Sequence, residues 1–305
     1  MWTADADVTG VLESFDDGAG NITGWRYTTL DQTVEEYNSA GKLLKATDRS
    51  GLSHSYVHNA NSIVVTHTNG DTLIYPLDGS GRIIGFVTSD NQTYSYSYDG
   101  AGNLTSIAYP NNGGARTYHY EATNFPNALT GITDANGDRF ATWSYDTEGR
   151  AISSEHLNGA ERVTMDYTNL DDIYDRRTRT TNGLGKETTF HFKTIHGVRK
   201  VVQVEGHAST YCAAANQNYA YSTTGFLTQK VDWEGNKTTY VRNTKGQELS
   251  RTEAAGTPEA RIIITEWHPT FNLRTKVAEP DRETIYTYDA NGNLLNQETT
   301  DMTRP

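Results

Sequence analysis

The chain has 305 residues with 26 basic and 38 acidic side chains, a net charge of −12, and it lacks the runs of Lys or Arg that a nucleic-acid partner requires. Its longest apolar stretches, such as residues 262–265, fall far short of the roughly 20 residues that cross a bilayer, so no membrane insertion is expected. Nineteen Tyr and five Trp supply apolar area, because each aromatic side chain can bury about 150–250 Å². These bounds predict a folded chain with an aromatic-rich core.

One seven-residue motif returns along the chain. Its clean form is Tyr-x-x-x-Gly-x-Leu, and its glycine recurs every 20 or 21 positions, as from Gly81 to Gly102 and from Gly225 to Gly246. Clean or nearly clean copies begin at Tyr37, Leu77, Tyr98, Tyr145, Tyr221 and Tyr288. Degenerate copies begin at Phe15, Tyr56, Tyr120, Phe192, Arg242 and Trp267. A fixed period of this length indicates a repeat architecture.

A second series of turn residues lies half-way between the motif glycines. In chain order these turns begin near Asp48, Thr68, Ser89, Pro110, Asp134, Leu157, Thr181 and Asp232. The turns leave strands of about 6–8 residues between them. Aromatic and polar residues alternate in these strands, as at Tyr94, Tyr96 and Tyr98, which predicts one aromatic face and one polar face. Each repeat is therefore predicted to be one β-hairpin, and the fold to be an all-β array of antiparallel hairpins.

One segment, residues 33–45, has a weak helical pattern. Its sequence, TVEEYNSAGKLLK, contains Gly41, which is in register with the other motif glycines. Glycine at that position favours a turn between two strands. A hairpin is therefore predicted here as well.

The motif residues have a structural explanation that needs no ligand. An Asp after the tyrosine can accept main-chain N–H groups in an Asx turn, and Gly can take a positive φ. The Leu that follows is expected to return to the buried face. We therefore predict no catalytic residue in the motif, and structural roles for Tyr37, Gly41, Tyr98, Asp99, Gly102, Leu104, Tyr145, Asp146, Gly149, Tyr221, Gly225, Leu227, Tyr288, Asp289, Gly292 and Leu294.

A unit of about 21 residues that reads "YDxxGxL" with "DxxG" half a period later resembles the YD repeat of the Rhs family. This family includes bacterial polymorphic toxins, the B and C components of insecticidal toxin complexes and, more distantly, teneurins. The resemblance runs from about residue 15 to residue 299. It implies a curved or spiralling β-sheet that is part of a hollow toxin shell or a closed barrel. The period alone would also fit a propeller or a β-solenoid.

The chain departs from the complete shells of that family. Those shells close with an aspartyl autoprotease region that contains a "DPxGL"-like motif, and none of the seven prolines is followed by x-Gly-Leu. We therefore expect residues 1–305 to be a single YD-repeat array, a fragment of a larger shell without a separate toxin or autoprotease domain. The resemblance implies as partners further YD repeats, a C-terminal toxin of the parent protein and other shell or secretion components. The parent protein is expected to be secreted or cell-surface and bacterial, with no signal peptide in this chain.

Metal and cofactor chemistry has little support in the sequence. The turns that begin at Asp99, Asp134 and Asp289 resemble the start of a calcium loop, but the twelfth position of each lacks the required Glu and no flanking helices are evident. The nine His show no H-E-x-x-H spacing, and residues 183–189 lack the ending of a phosphate-binding loop. We expect no metal and no cofactor.

Nucleophilic and acid chemistry has equally little support. Asp16 and Asp17, and the acidic residues at 171, 172 and 175, could in principle form the facing pair that glycoside hydrolysis needs. The sequence brings no chosen pair together, so solvated charge is the preferred interpretation. Cys212 is interpreted as a loop residue, because no neighbouring base would activate it.

The sequence leads to a structural function. We expect a non-catalytic, encapsulating segment of an Rhs-type toxin shell. The alternative is a glycan- or receptor-binding module that uses an exposed tyrosine face, since aromatic rings on a sheet can stack against sugars. An enzyme is the third possibility, and it rests on the unpaired carboxylates alone.

Overall fold

The computed structural model describes residues 10–167, 175–210 and 212–303, and these residues form β-strands joined by turns and short loops. The described residues contain 26 strands and one short 3₁₀ turn, Leu157–Gly159. This agrees with the predicted all-β array of hairpins. No helix in the described ranges is long and apolar enough to cross a membrane.

The strands fall into two compact units. The first comprises Met1–Ser53, Leu170–Arg177 and Thr189–Pro305, and the second comprises His54–Asn169 and Thr178–Thr188. The first unit begins with β1 (Val11–Asp16), β2 (Ile22–Thr28), β3 (Val34–Asn38) and β4 (Leu43–Thr47). The second unit contains β5 (Ser53–His58), β6 (Ser62–His67), β7 (Thr72–Pro76), β8 (Gly85–Thr88), β9 (Thr93–Tyr98), β10 (Leu104–Ala108), β11 (Ala115–His119), β12 (Gly131–Thr133), β13 (Arg139–Tyr145), β14 (Ala151–His156), β15 (Val163–Asp166) and most of β16 (Asp175–Thr181). The first unit continues with β17 (Glu187–Ile195), β18 (Val198–Gly206), β19 (Ala215–Tyr221), β20 (Leu227–Val231), β21 (Lys237–Arg242), β22 (Glu248–Glu253), β23 (Arg261–Trp267), β24 (Arg274–Ala278), β25 (Arg282–Tyr288) and β26 (Leu294–Asp301).

Strands pair antiparallel with their neighbours in the chain. This holds from β1 to β4 and from β18 to β26 in the first unit, and from β5 to β16 in the second. In a series of antiparallel strands, alternate turns lie at opposite ends of the strands. In each unit the motif turns therefore lie at one end of the strands, and the second series of turns lies at the other end.

The two series of turns share one backbone geometry. In the motif turn the Gly102 N–H donates to the Asp99 carbonyl at 3.1 Å, and the Asp99 N–H donates to the Asn103 carbonyl at 3.0 Å. In the second series Gly51 and Asp48 form the same contact at 3.0 Å. Both glycines have positive φ, 87° and 89°. This combination is a type I turn closed by a glycine bulge, one of the common longer hairpin connections.

The residue before the motif Asp lies at a second irregularity of the ladder. Register shifts occur between Thr287 and Tyr288, between Ala220 and Tyr221 and in the corresponding place of other motif hairpins. A bulge bends and twists the strand that carries it. In these two hairpins the extra residue, Leu295 or Thr228, lies on the strand that follows the turn, so the bend is in that strand, opposite the motif tyrosine.

The core of the sheet is thin. Within the described residues the buried apolar side chains are few, namely Val65, Ala141, Val204 and Ile263, and of these Ile263 is fully buried. Most tyrosines are half-buried, and in β9 Tyr94, Tyr96 and Tyr98 are more buried than the Thr and Ser between them. The alternation confirms the predicted aromatic and polar faces in this strand.

Two local expectations have different outcomes. Residues 33–45 form the hairpin of β3 and β4 with a turn at Gly41, as predicted. The prediction that Leu294 returns to the buried face is wrong, because this side chain is 51% exposed. Strand β26 pairs with β25, and the described residues supply no strand on its other side. A side chain on a strand that pairs on one side only has cross-strand neighbours on that side alone, so more of its surface stays exposed.

Candidate functional site

The motif turn is built around one carboxylate. Asp99 Oδ1 accepts the main-chain N–H groups of Ala101 at 2.9 Å and Asn103 at 2.8 Å. Its Oδ2 accepts the Asn103 side-chain amide at 2.9 Å. These bonds hold the pKa of the Asp99 carboxyl below its usual range, with the bond from the Asn103 side chain as the largest cause. Both oxygens of the Asp99 carboxylate therefore accept hydrogen bonds from within their own turn.

The same carboxylate arrangement recurs in both series of turns. The Asp289 turn copies it with Asn291 and Asn293 at 2.9 and 2.8 Å. Related turns are centred on Asp17, Asp78, Asp134, Asp146 and Asp232. The pKa of the Asp289 carboxyl is likewise lowered, first by the Asn293 side chain. An aspartate that repeats with the same local partners has the properties of a turn residue.

The charge of the aspartate is not required for this geometry. Asn38 Oδ1 accepts N–H groups from Ala40 and Lys42 at 3.0 and 2.9 Å. Asn243 does the same with Lys245 and Gln247. An amide oxygen therefore replaces the carboxylate in some copies of the turn. A catalytic or calcium-binding role would need the charge.

The motif tyrosine forms a bond to the preceding hairpin. Tyr98 Oη donates to the Ile83 carbonyl at 2.5 Å, and Tyr145 Oη donates to the Leu129 carbonyl at 2.7 Å. The same bond joins Tyr120 to Leu104, Tyr167 to Ala151, Tyr221 to Val201 and Tyr288 to Arg274. For Tyr98, Tyr120, Tyr145 and Tyr167 the acceptor is the residue at the Leu position of the motif before. For Tyr221 and Tyr288 the acceptor lies further along the same strand, at Val201 and Arg274. The tyrosine therefore ties each of these hairpins to its predecessor.

Two degenerate copies keep the bond with a different donor. Arg242 occupies a tyrosine position, and its Nε donates to the Leu227 carbonyl at 3.2 Å. Trp267 occupies the next, and its Nε1 donates to the Glu248 carbonyl at 2.8 Å. What is retained is a long side chain that ends in a donor. The first clean copy differs, since Tyr37 Oη donates to Glu35 Oε2 at 2.6 Å.

Several of the motif glycines face a side chain of the previous motif turn. A β-carbon at Gly246 would lie 2.5 Å from Cε1 of Phe226, the residue that follows the glycine of the preceding motif. At Gly149 the nearest atom is Cε1 of Phe125 at 3.0 Å. Gly102 faces Arg82, whose guanidinium also lies 4.7 Å from the centre of the Tyr98 ring. Glycine is thus needed at Gly246 and Gly149 both for its positive φ and for the space above it, whereas at Gly102 an added β-carbon would meet Arg82 at an ordinary contact distance of 3.6 Å and the positive φ is the reason for glycine.

The aromatic face of the second unit packs against itself. Phe86 and Tyr94 lie opposite each other on β8 and β9, and their rings stack with centroids 4.2 Å apart. Phe86 also contacts Tyr75 and Tyr96, and Tyr94 contacts Tyr109 edge-on at 6.0 Å. Aromatic pairs of this kind contribute about 0.5–1.5 kcal/mol beyond area burial. The rings of this aromatic face therefore pack against one another.

A chain of ion pairs crosses β22 to β25 of the first unit. Arg251 contacts Glu248 at 3.1 Å and Glu253 at 2.8 Å. Glu253 continues to Arg261 at 3.1 Å, and Arg261 to Glu279 at 3.0 Å. Arg282 completes the chain with a second contact to Glu279. No sequence pattern signals this network, because its link from Glu253 to Arg261 depends on the register of β22 and β23.

Among the residues that the structure describes, the other candidates from the sequence are not brought together in one site. Within the described residues no group of three or more His, Cys, Asp or Glu side chains is placed to hold a metal ion. Asp17 accepts bonds in its own turn, and Cys212 is an exposed loop residue in a bridge with Ser209. Residues 171 and 172 and the side chain at 175 lie outside the described residues.

Comparison with known proteins agrees with this geometry. Residues 78–113, which hold two successive motif turns, match the family model described as RHS Repeat. Residues 78–113 carry the RHS repeat. The RHS-type repeat expected from the motif is thereby confirmed. A second comparison finds 27% identity over 144 residues with the tRNA3(Ser)-specific nuclease WapA of Bacillus spizizenii, covering 47% of this chain and 6% of the nuclease.

Solved structures share the fold of the hairpin array over nearly its whole length. The crystal structure of TcdB2-TccC3-Cdc42 matches 94% of this chain with a TM-score of 0.59 at 12% identity. The Tc holotoxin pore of Photorhabdus luminescens matches 95% with a TM-score of 0.61 at 12% identity. This chain spans 18% of the length of each matched chain. The array therefore has the fold of a portion of these toxin chains.

Proposed function

We propose that this chain is a non-catalytic wall segment of an Rhs-type toxin shell and that the shell encloses a cargo polypeptide. The observation that carries the proposal is the likeness in fold to Tc toxin chains over 94–95% of the residues. The RHS-repeat match within the same array supports it.

The chemistry of the repeat suits a wall. A single hairpin is marginally stable in water, and an array gains stability from the interfaces between neighbouring repeats. Here several interfaces add a Tyr-to-carbonyl bond, as at Tyr145, or a glycine-to-side-chain contact, as at Gly246. The polar atoms of the motif are used for these bonds. Catalysis needs one site with a free reactive group, whereas a wall needs many self-contained units.

The proposal places the chain in a longer protein. The chain spans 6% of the curated relative and 18% of the matched toxin chains. Residues 1–305 are then one array within a larger shell, whose partners are further RHS repeats and a toxin segment of the parent protein. The parent protein is proposed to be secreted or displayed at the surface of a bacterium.

The test uses the complete gene product. Limited proteolysis followed by mass spectrometry identifies any segment outside the array that survives digestion. Gly246→Val combines a β-branched side chain at positive φ with a clash against Phe226, so it loosens the array. We expect the cargo segment to be protected in the unaltered protein and cleaved in the variant.

The matched control is Gly41→Ala, which has no atom within 4 Å of the new β-carbon. Protection should persist in this variant. If the cargo segment resists the protease equally well in Gly246→Val and in the unaltered protein, it folds by itself and is not protected by the array. This result would overturn the proposal. Specific sugar binding that is lost on Tyr94→Ala would instead favour the glycan-binding module.

A further inference from the structure

Two histidines meet across a pair of strands in the second unit. His54 on β5 lies directly opposite His67 on β6. Their ring centroids are 4.8 Å apart with an interplanar angle of 46°. The two residues are thirteen positions apart in the chain and match no metal motif, so strand register alone creates the pair. His54 is exposed and His67 is half-buried.

The tautomer of His67 is fixed by its neighbours. Its Nδ1 lies 2.7 Å from Asn69 Oδ1. The amide of Asn69 is oriented by two bonds, since its Nδ2 donates to Asp71 Oδ2 at 2.7 Å and its Oδ1 accepts the Asp71 N–H at 3.0 Å. Reversing the amide would lose both bonds.

An acceptor oxygen at 2.7 Å requires that Nδ1 of His67 carry the hydrogen. The Asn69 N–H also points toward Nδ1, but it lies further away, at 3.3 Å. Nε2 of His67 therefore keeps its lone pair. A hydrogen bond from the second ring nitrogen to an oxygen is the arrangement that orients metal-binding histidines.

We propose that His54 and His67 bind one divalent transition-metal ion, with a ring nitrogen from each histidine as ligands. Neutral imidazole suits Cu²⁺, Ni²⁺ and Zn²⁺, and affinity is expected to be highest for Cu²⁺. The described residues supply no third His, Cys, Asp or Glu for the same ion. Water fills the remaining positions, so the site is open to solvent.

Binding at this pair has a structural consequence that does not depend on the proposed function. The ion joins β5 to β6 beyond the bonds of the ladder. A ligand that binds the folded state alone raises the stability of that state by mass action. The array should therefore unfold at a higher temperature when the metal is present.

The test is calorimetric titration of Ni²⁺ into the untagged chain. We expect one ion per chain, with the affinity reduced more than tenfold in His54→Gln and in His67→Gln. Asn69→Ala removes the bond that positions the His67 ring, and we expect a loss of about tenfold. His156→Gln is the matched control, because His156 packs against Phe140 with centroids 5.0 Å apart and has no histidine partner in the described residues.

Circular dichroism establishes that each variant is folded. Line broadening of the histidine ring signals by Ni²⁺ in the unaltered chain then gives a measurement that needs no variant. Broadening confined to His54 and His67 supports the proposal. Equal broadening of all histidines, or an affinity unchanged in both glutamine variants, would overturn it.

Discussion

The contact between motif turns leads to a quantitative prediction at Gly246. Replacing this glycine with alanine introduces a β-carbon at a residue with φ of 78°, 2.5 Å from Phe226 Cε1 and 2.9 Å from its Cζ. Gly41 is the matched control, since its φ is 76° and a β-carbon there would meet nothing within 4 Å. The two variants share the backbone strain and differ in the clash.

The expected magnitudes follow from these two contributions. A left-handed conformation costs a non-glycine residue about 1–2 kcal/mol, so Gly41→Ala should destabilise the array by about that amount. Overpacking adds about 1–3 kcal/mol, which brings Gly246→Ala to about 2–5 kcal/mol. Phe226 is half-buried and its ring can move in part. The lower half of that range is therefore the better expectation.

The assay is a double-mutant cycle with Phe226→Ala. Urea unfolding measures the whole array, and native-state hydrogen exchange measures the hairpin itself, because long repeat arrays need not unfold in one step. In the Phe226→Ala background, Gly246→Ala should cost no more than Gly41→Ala does. The coupling energy between positions 226 and 246 should be about 1–3 kcal/mol.

Two results would refute this reasoning. If Gly246→Ala and Gly41→Ala cost the same in the unaltered background, the turn-to-turn contact adds no constraint. A coupling energy near zero between Phe226 and Gly246 would have the same meaning. The glycine would then be retained for its positive φ alone.

Three further predictions concern the bonds and charges of the repeat. Tyr145→Phe leaves the Leu129 carbonyl without its donor and should lower the free energy of unfolding in urea by about 0.5–1.5 kcal/mol. Tyr94→Phe should leave it unchanged, because the Tyr94 hydroxyl has no partner among the described residues. Equal losses in the two variants would contradict a stabilising role for the Tyr145 hydrogen bond. The folded pKa values of Asp99 and Asp289 are lowered, so the stability they contribute is present above the ordinary Asp pKa of about 3.9 and is lost as pH falls through the lower folded pKa. Asp-to-Asn replacement at both positions should flatten the urea midpoint's dependence on pH below about 4, and an unchanged slope would reject this origin. Arg251→Gln should cost at most about 1 kcal/mol, since its pairs are partly exposed, and the cost should shrink in 1 M NaCl; a cost that is independent of salt would point to packing.

The sequence was sufficient for the local structure of the array. Turn chemistry is set by residues within five positions of each other, as in the turn from Asp99 to Asn103, and the glycine period places each hairpin. Alternation then predicts the aromatic face. For this reason the hairpin at residues 33–45 could be predicted despite its weak helical pattern.

Contacts between hairpins could not be predicted from the sequence. Tyr98 and its acceptor Ile83 are separated by a full strand and a turn, and their bond depends on the register of β8 and β9. The pair of His54 and His67 arises in the same way. Leu294 shows the converse error, because the motif predicted burial without knowing whether a neighbouring strand covers it.

The central claim is that this array forms the wall around a polypeptide, and electron cryomicroscopy of the complete gene product tests it most directly. The account predicts density for a chain segment enclosed by the strands of the array. It also predicts that the motif turns form continuous contacts from one hairpin to the next. A sheet with solvent on both faces, or a toxin segment folded outside the array, would contradict the account.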